Sequence, residues 1–195
     1  QRTRHMAQLE EAVLVMEGVM GIPFPQSDII LLFAEPGVGT AGTYHGTHMI
    51  ISPPQEILGD FRRVIAHEVG HYYWGTSTSP VWFREGGSDF LASYVVQQIY
   101  GDSPRGRRTE VEADSRSCGR LGMSNIQKLV DNLAIIGYSE HAARPYFGCN
   151  YTNGELLFLN LSDVLGVDAF QEAWRELHAL TGADQSTWTE DQVHA

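Results

Sequence analysis

Residues 67–71 carry the sequence HEVGH, and this stretch decides how the surrounding chain is expected to fold. Positions four residues apart on an α-helix differ by only about 40° around the axis, because each residue advances by about 100°. A helix over residues 55–74 would therefore point the imidazoles of His67 and His71 in the same direction. Two imidazoles so placed can share one tetrahedral Zn²⁺ ion. Glu68 lies at a different angle, from which it can reach a water molecule on that metal and act as its base.

A third metal ligand is expected from the helix that follows, predicted over residues 81–100. A catalytic zinc site takes three protein ligands and leaves one position open. Glu85 lies near the start of this helix, and the short connection makes the two helices neighbours. Asp89 follows one turn later, where its carboxylate can accept the N–H of a ligand histidine. The structural alternatives are a favourable acid in a first helical turn for Glu85 and a solvated charge for Asp89.

The rest of the chain shows apolar periodicity typical of helices and two short runs typical of strands. One helix is predicted over about residues 3–20, and strands are predicted at residues 28–34 and 47–52. Later helices are predicted around residues 109–117, 124–135, 152–165 and 167–180. The residues predicted to form the core recur at helical spacing: Leu9, Val13, Met16, Met20, Ile57, Phe61, Val64, Ile65, Phe83, Phe90, Leu91, Tyr94, Val95, Phe170, Trp174 and Leu177.

The order of these elements predicts an α+β domain, because the strands come early and the helices late. We expect a small mixed sheet and the zinc-site helices in a first lobe, residues 1–100, and a helical lobe in residues 101–195. The 195 residues are enough for a single catalytic domain with its own core. Residues 189–192 have the pattern of a helix capping box just before the chain stops, so we expect a fragment of a longer protein.

Composition argues against two classes of partner. The formal net charge is −11, whereas contacts to nucleic-acid phosphates need clustered Lys and Arg. The apolar stretches, such as residues 29–34, are too short to span a bilayer. The two cysteines, Cys118 and Cys149, are compatible with one disulfide or with two inert thiols. Nothing in the sequence indicates the oligomeric state.

The zinc-binding pattern resembles that of the gluzincin metallopeptidases, which include thermolysin, the aminopeptidase N group and the small peptidase MA-like proteins. The sequence HEVGH at residues 67–71, followed by Glu85-Gly86, is similar to the motif of that family. In thermolysin-like members the third ligand is a Glu and an Asp follows four residues later, as Glu85 and Asp89 do here. The resemblance implies a thermolysin-like fold, one Zn²⁺ per chain, and hydrolysis of a peptide or protein substrate with Glu68 as the base.

The resemblance extends to segments on either side of this motif, within residues 21–52 and 148–175. Residues 21–25, GIPFP, are similar to the start of the aminopeptidase N catalytic domain. Residues 151–154, YTNG, resemble that group's Tyr-x-x-Gly segment, which implies that Tyr151 stabilises the oxyanion; an aromatic plug before a helix is the structural alternative. Residues 42–46, GTYHG, lack the acid with which that group binds the substrate's amine. The resemblance therefore does not distinguish an aminopeptidase from an endopeptidase.

Two alternatives to a peptidase stay open. The first is an inactive peptide-binding module whose zinc is structural, with a fourth ligand from His45, His48 or His141, each otherwise expected at the surface. The second is a helical interaction domain without metal. His178 is expected at the boundary of a helix rather than as a ligand. The resemblance to secreted peptidases favours an extracellular or membrane-anchored domain, in which the two cysteines would be bridged.

Overall fold

The computed structural model describes residues 2–33, 42–45, 48–51, 62–74, 81–101, 104–118 and 140–181. Within them the chain forms six α-helices and three short strands. The helices are α1 (Arg2–Met20), α2 (Arg62–Trp74), α3 (Val81–Tyr100), α4 (Pro104–Ser117), α5 (Glu140–Leu165) and α6 (Val167–Thr181). The strands are β1 (Ile30–Phe33), β2 (Gly42–His45) and β3 (His48–Ile51).

The three strands form one small mixed sheet in the order β1-β3-β2. Strand β1 runs parallel to β3, with Ile30 opposite His48, and β2 runs antiparallel to β3, with His45 opposite His48. Among the strand side chains that the structure describes, Met49 is buried, but Ile30 and Leu32 are 49% and 43% exposed. Of the strand side chains that the structure describes, only Met49 and the partly buried Leu31 therefore pack on the core.

The α+β fold of the thermolysin type that the sequence predicts is wrong. Most of the described residues lie in helices, and each strand has only four residues. The physical reason is that apolar runs of this length can form strands without forming a layer of the core. Among the described residues, the buried apolar side chains come almost entirely from helices. The described part of the chain is therefore mostly helical.

The predicted helix periodicity is confirmed where the structure describes it. Helices α1, α2, α3 and α6 lie where the sequence predicts them, although residues 55–61 of the helix predicted over 55–74 are outside the described residues. Helix α5 begins at Glu140, well before the predicted start at residue 152, and α4 begins earlier as well. The predicted helix at 124–135 and the capping box at 189–192 are also outside the described residues. None of the described helices combines the length and apolarity needed to cross a membrane.

The core is built from helical faces and includes a cluster of aromatic rings where α3, α5 and α6 meet. The Phe90 ring centroid lies 5.1 Å from those of Phe170 and Trp174, and Phe158 stacks on Trp174 at 5.2 Å. Predicted core residues that are buried are Leu9, Met16, Met20, Ile65, Phe83, Phe90, Leu91, Val95, Phe170 and Trp174. Those that are partly buried against the core are Val13, Val64, Tyr94 and Leu177, whereas Ile57 and Phe61 are outside the described residues.

Glycines allow α3 to lie very close to two neighbouring helices. A Cβ atom at Gly154 of α5 would collide with the carbonyl oxygen of Trp82 and with the Cα of Gly86, both on α3. A Cβ atom at Gly70 of α2 would lie 3.1 Å from the Cα of Ser88 on α3. These contacts fix the separations of α2, α3 and α5, the helices that carry the predicted site residues.

A disulfide joins Cys118, at the end of α4, to Cys149 in α5, with their Cα atoms 5.7 Å apart. Of the two possibilities that the sequence allows, the structure therefore has the bridge. A hydrogen bond of 2.7 Å from the Ser115 hydroxyl to the Asn153 side-chain oxygen joins the same two helices. The bridge and this hydrogen bond hold α4 against the part of α5 that carries Tyr151.

We expect Gly154→Ala to destabilise the protein by about 1–3 kcal/mol, because the added methyl group overlaps backbone atoms that cannot rotate away. Gly148→Ala in the same helix is the matched control, since nothing lies within 4 Å of its added Cβ. The control should stabilise the helix by about 0.5–1 kcal/mol. Chemical denaturation measures both free energies of unfolding. Equal effects at the two positions would contradict the close contact between α3 and α5.

Candidate metal centre

Two histidines of α2 face the interior of the protein. His67 and His71 lie one turn apart and are only 9% and 7% exposed. Their Nε2 atoms are 3.0 Å apart, and their rings are nearly perpendicular, with an interplanar angle of 88°. The structure thus has both imidazoles on one side of the helix, as their spacing in the sequence predicts.

Glu85 of α3 completes a group of three candidate ligands. Its Oε2 atom lies 3.3 Å from Nε2 of His67 and 3.3 Å from Nε2 of His71. In a tetrahedral zinc site with bonds of about 2.0–2.1 Å, two ligand atoms stand about 3.3 Å apart. The separations among the three atoms therefore fit one metal ion. The other carboxylate oxygen, Oε1, accepts a hydrogen bond of 3.0 Å from Arg84, so Glu85 presents one oxygen to the histidines.

The outer nitrogen of each histidine is held by a residue of α3. The Nδ1 atom of His67 lies 2.9 Å from Oδ1 of Asp89, and Nδ1 of His71 lies 3.1 Å from the Ser88 hydroxyl. A carboxylate can only accept a hydrogen bond, so His67 donates its Nδ1–H to Asp89. The other ring nitrogen, Nε2, faces Glu85. Contacts of this kind orient the rings of metal-binding histidines.

Tyr151 of α5 reaches the same cluster from a third helix. Its ring stacks on the imidazole of His67, with centroids 5.7 Å apart and an interplanar angle of 20°. Burial raises the pKa of the Tyr151 hydroxyl, and a hydrogen bond to the negatively charged Glu85 raises it further. The hydroxyl therefore stays protonated and can donate a hydrogen bond within the cluster.

Glu68 is buried next to the candidate ligands, with 5% of its surface exposed. Burial raises the pKa of its carboxyl, and the nearby carboxylates of Glu85 and Asp89 raise it too, whereas His67 and His71 oppose the shift. The net effect is a pKa above the usual range for a glutamate. Glu68 is thus a buried acid that is easier to protonate than an exposed one.

The charges of the three candidate ligand residues depend on one another. Burial alone would lower the pKa of His67, but the charge of Asp89 and hydrogen bonds to Asp89 and Glu85 raise it to about 10. Burial would raise the pKa of Glu85, but hydrogen bonds from His67 and His71 lower it well below its usual range. The cluster therefore favours a positive charge between the two helices, which a proton or a metal ion can supply.

The remaining histidines that sequence analysis considers lie elsewhere or outside the described side chains. His178 of α6 is partly buried, and its ring lies 6.2 Å from that of Tyr73. Burial lowers the pKa of His178, while a hydrogen bond with the Tyr73 backbone opposes that shift. This position at the edge of the core agrees with the boundary role predicted for it. The side chains of His45, His48 and His141 are outside those that the structure describes.

Sequence analysis does not identify several residues that contact the site or its surroundings: Arg63, Arg84, Ser88, Ser93, Arg107 and Glu155. Ser88 lies three residues after Glu85, so helical spacing alone could have indicated it. Arg63 and Glu155 are 92 residues apart and meet because α2 and α5 both pack on α3. No local pattern indicates such a pair.

Comparisons with known proteins add no further assignment. No protein-family model matches this chain, and no curated protein shows significant sequence similarity to it. The interpretation of the site therefore depends on its residues and on their geometry.

Without metal, the protein should lose stability as the pH rises from about 6.5 to about 10. The folded state raises the pKa of His67 from 6.5 to about 10, so the stabilisation from this proton is fully present below pH 6.5 and is lost as the pH rises to about 10. Urea denaturation of chelator-treated protein over this range measures the effect. Asp89→Asn should flatten the dependence, because it removes the charge that contributes most to raising this pKa. The same slope in this variant would show that other groups cause it.

Proposed function

We propose that this protein is a zinc-dependent metallopeptidase that hydrolyses peptide bonds with Glu68 as the base. One observation carries the proposal: the Nε2 atoms of His67 and His71 and Oε2 of Glu85 lie 3.0–3.3 Å apart in a buried cluster. Glu68 and Tyr151 adjoin this cluster. Glu68 supplies an acid–base group, and Tyr151 supplies a hydrogen-bond donor. The resemblance to gluzincin peptidases supports the same chemistry through the site residues rather than through the fold.

The types of ligand favour zinc. Two imidazole nitrogens and one carboxylate oxygen form a known ligand set of catalytic zinc, whereas calcium and magnesium prefer oxygen alone. Three protein ligands also leave one position for water or substrate. A zinc ion held by these residues would polarise the scissile carbonyl and lower the pKa of a bound water molecule to about 7. We therefore propose one Zn²⁺ ion per chain.

Glu68 is proposed to accept the proton of the attacking water and later to donate it to the leaving amine. It follows His67 directly on α2, so it lies beside the ligand set without belonging to it. Its burial raises the pKa of the carboxyl, which brings it closer to the pH at which the enzyme would work. Acid–base catalysis is most efficient when the pKa of the catalytic group is close to the pH at which the enzyme works.

Tyr151 is proposed to donate a hydrogen bond to the oxyanion that develops on the scissile carbonyl. Its hydroxyl is protonated, because burial and the charge of Glu85 raise its pKa. Its ring is held against His67, within the candidate site. In the free protein the hydroxyl donates its hydrogen bond to Glu85. In the reaction it would have to donate instead to the oxygen of the scissile carbonyl.

The proposed substrate is a peptide or a segment of a protein. The net charge of −11 gives no support to a nucleic-acid substrate. The Cys118–Cys149 disulfide supports a site of action in an oxidising compartment. A zinc-containing module that binds peptides without cleaving them is the alternative, and it is tested by the same measurements of zinc and turnover.

Glu68→Gln should retain about one equivalent of zinc per chain and lose peptide hydrolysis by about 10²–10⁴-fold, because the amide cannot act as a base. Elemental analysis and cleavage of a mixed peptide library measure the two properties. Glu85→Gln is the contrasting variant, since it changes a proposed ligand and should weaken zinc binding itself.

Three outcomes would contradict parts of this proposal. Absence of any transition metal in wild-type protein purified without chelators would remove the zinc site. A wild-type protein that holds zinc but cleaves no peptide would favour the inactive binding module. Hydrolysis by Glu68→Gln at the wild-type rate would mean that another group is the base.

Tyr151→Phe should lower kcat by about 10²–10³-fold with little change in KM or zinc content, because the lost hydrogen bond strengthens mainly in the transition state. Steady-state kinetics on a peptide substrate identified by the library measure the effect. Tyr94→Phe is the matched control, since its hydroxyl accepts a hydrogen bond from Gln171 and lies away from the ligands. Normal turnover by the Tyr151 variant would identify Tyr151 as a packing residue.

A further inference from the structure

A second cluster of charged side chains lies next to the candidate metal centre. This ionic cluster consists of the charged residues Arg63, Asp89, Arg107 and Glu155, together with the neutral hydroxyl of Ser93. Glu155 is fully buried, and its carboxylate oxygens accept hydrogen bonds from Arg63, Ser93 and Arg107. A buried charge is costly unless it is paired and hydrogen-bonded. Glu155 therefore holds the two guanidinium groups in fixed positions.

Arg63 connects Glu155 to Asp89. Its Nη2 atom lies 3.0 Å from Oε2 of Glu155 and 3.2 Å from Oδ1 of Asp89. The same oxygen of Asp89 accepts the hydrogen bond from Nδ1 of His67 at 2.9 Å. An unbroken path of polar contacts thus leads from Glu155 on α5 to a candidate metal ligand on α2.

The residues of this path are spaced one helical turn from the candidate ligands. Arg63 lies one turn before His67 on α2, and Asp89 lies one turn after Glu85 on α3. Residues four apart share a helix face. The ionic cluster therefore forms a layer of its own, stacked along the helix axes against the layer of candidate ligands.

We propose that Arg63 is a positioning residue for His67, an inference that rests on the metal site proposed above. Arg63 holds the carboxylate of Asp89, which is the acceptor for the Nδ1–H of His67. With that hydrogen bond fixed, the unprotonated Nε2 atom is the one presented to the metal. Glu155 fixes Arg63 in turn, and Arg107 pairs with the same carboxylate, so the two guanidinium groups balance the charges of Glu155 and Asp89.

A purely structural ion pair would affect stability alone, and two contacts favour the positioning role. Arg63 and His67 share a single oxygen of Asp89, so the guanidinium group restricts where that oxygen can lie. Arg63 also lies 3.4 Å from the backbone carbonyl oxygen of Asp89. Arg63 therefore holds both the backbone and the side chain of the residue that orients His67.

The test uses Arg63→Gln and Arg63→Lys in the full chain, with Arg108→Gln as the matched control. Arg108 has a similarly exposed side chain, 26% against 30%, but it pairs with Asp163 outside the ionic cluster. Competition with a chelator gives the affinity for Co²⁺, and the visible spectrum of the Co²⁺ protein reports the ligand geometry. We expect Arg63→Gln to bind Co²⁺ about 10–100-fold more weakly and to change the spectrum. Arg63→Lys should lie between Arg63→Gln and wild type, and Arg108→Gln should match wild type.

A double-mutant comparison tests whether Arg63 acts through Asp89. In an Asp89→Asn protein, Arg63→Gln should weaken Co²⁺ binding by less than about twofold, because the residue through which Arg63 acts has already been changed. An undiminished effect in that background would overturn the inference.

The remaining outcomes separate this inference from the proposed function. If both Arg63 variants keep the wild-type affinity and spectrum, Arg63 has no positioning role, although the metal site stands. If Arg63→Gln does not fold, Arg63→Lys decides the question by the same two measurements. If wild-type protein binds neither Co²⁺ nor Zn²⁺, the metal site fails and this inference fails with it.

Discussion

The contact between α3 and α5 at Gly86 and Gly154 is the constraint on which the rest of the structure depends. No side chain fits between the two backbones at this point. Glu85 directly precedes one glycine, and Tyr151 lies about one turn before the other. The two residues therefore meet because their helices meet. A wider separation would remove Tyr151 from the candidate ligands and Glu155 from the ionic cluster, while leaving the histidines of α2 where they are.

Helices α2, α3 and α5, joined by Arg107 of α4, build two layers of different electrostatic character. The ionic cluster combines two guanidinium groups with two carboxylates, so its charges compensate one another. The neighbouring layer brings the buried carboxylates of Glu68 and Glu85 together with two imidazoles, which are positive only when protonated. Buried negative charge requires a nearby cation. In the metal-free protein a proton on His67 meets this need, which accounts for its raised pKa.

How much the sequence predicts depends on how local each feature is. The spacing of His67, His71, Glu85 and Asp89 reflects helical periodicity over two consecutive helices, and the structure brings all four together. Resemblance alone indicated Tyr151, whereas the meeting of Arg63 with Glu155 depends on the packing of distant segments. The predicted fold class is wrong for a related reason. Short apolar runs predict strands from local pattern, but only the packing of the whole chain decides that helices supply most of the core.

The distribution of the site along the chain has a consequence for the order of folding. His67, His71 and Glu85 all belong to α2 and α3, which are consecutive helices, whereas Tyr151 belongs to α5 and must return from much farther along the chain. Contacts between nearby segments cost less loop-closure entropy and tend to form sooner than distant ones. The three candidate ligands can thus gather as soon as α2 and α3 pair, before α5 has docked. On the proposed function, metal binding and the addition of Tyr151 to the site are then separate events, and α5 is the last of the three helices to dock.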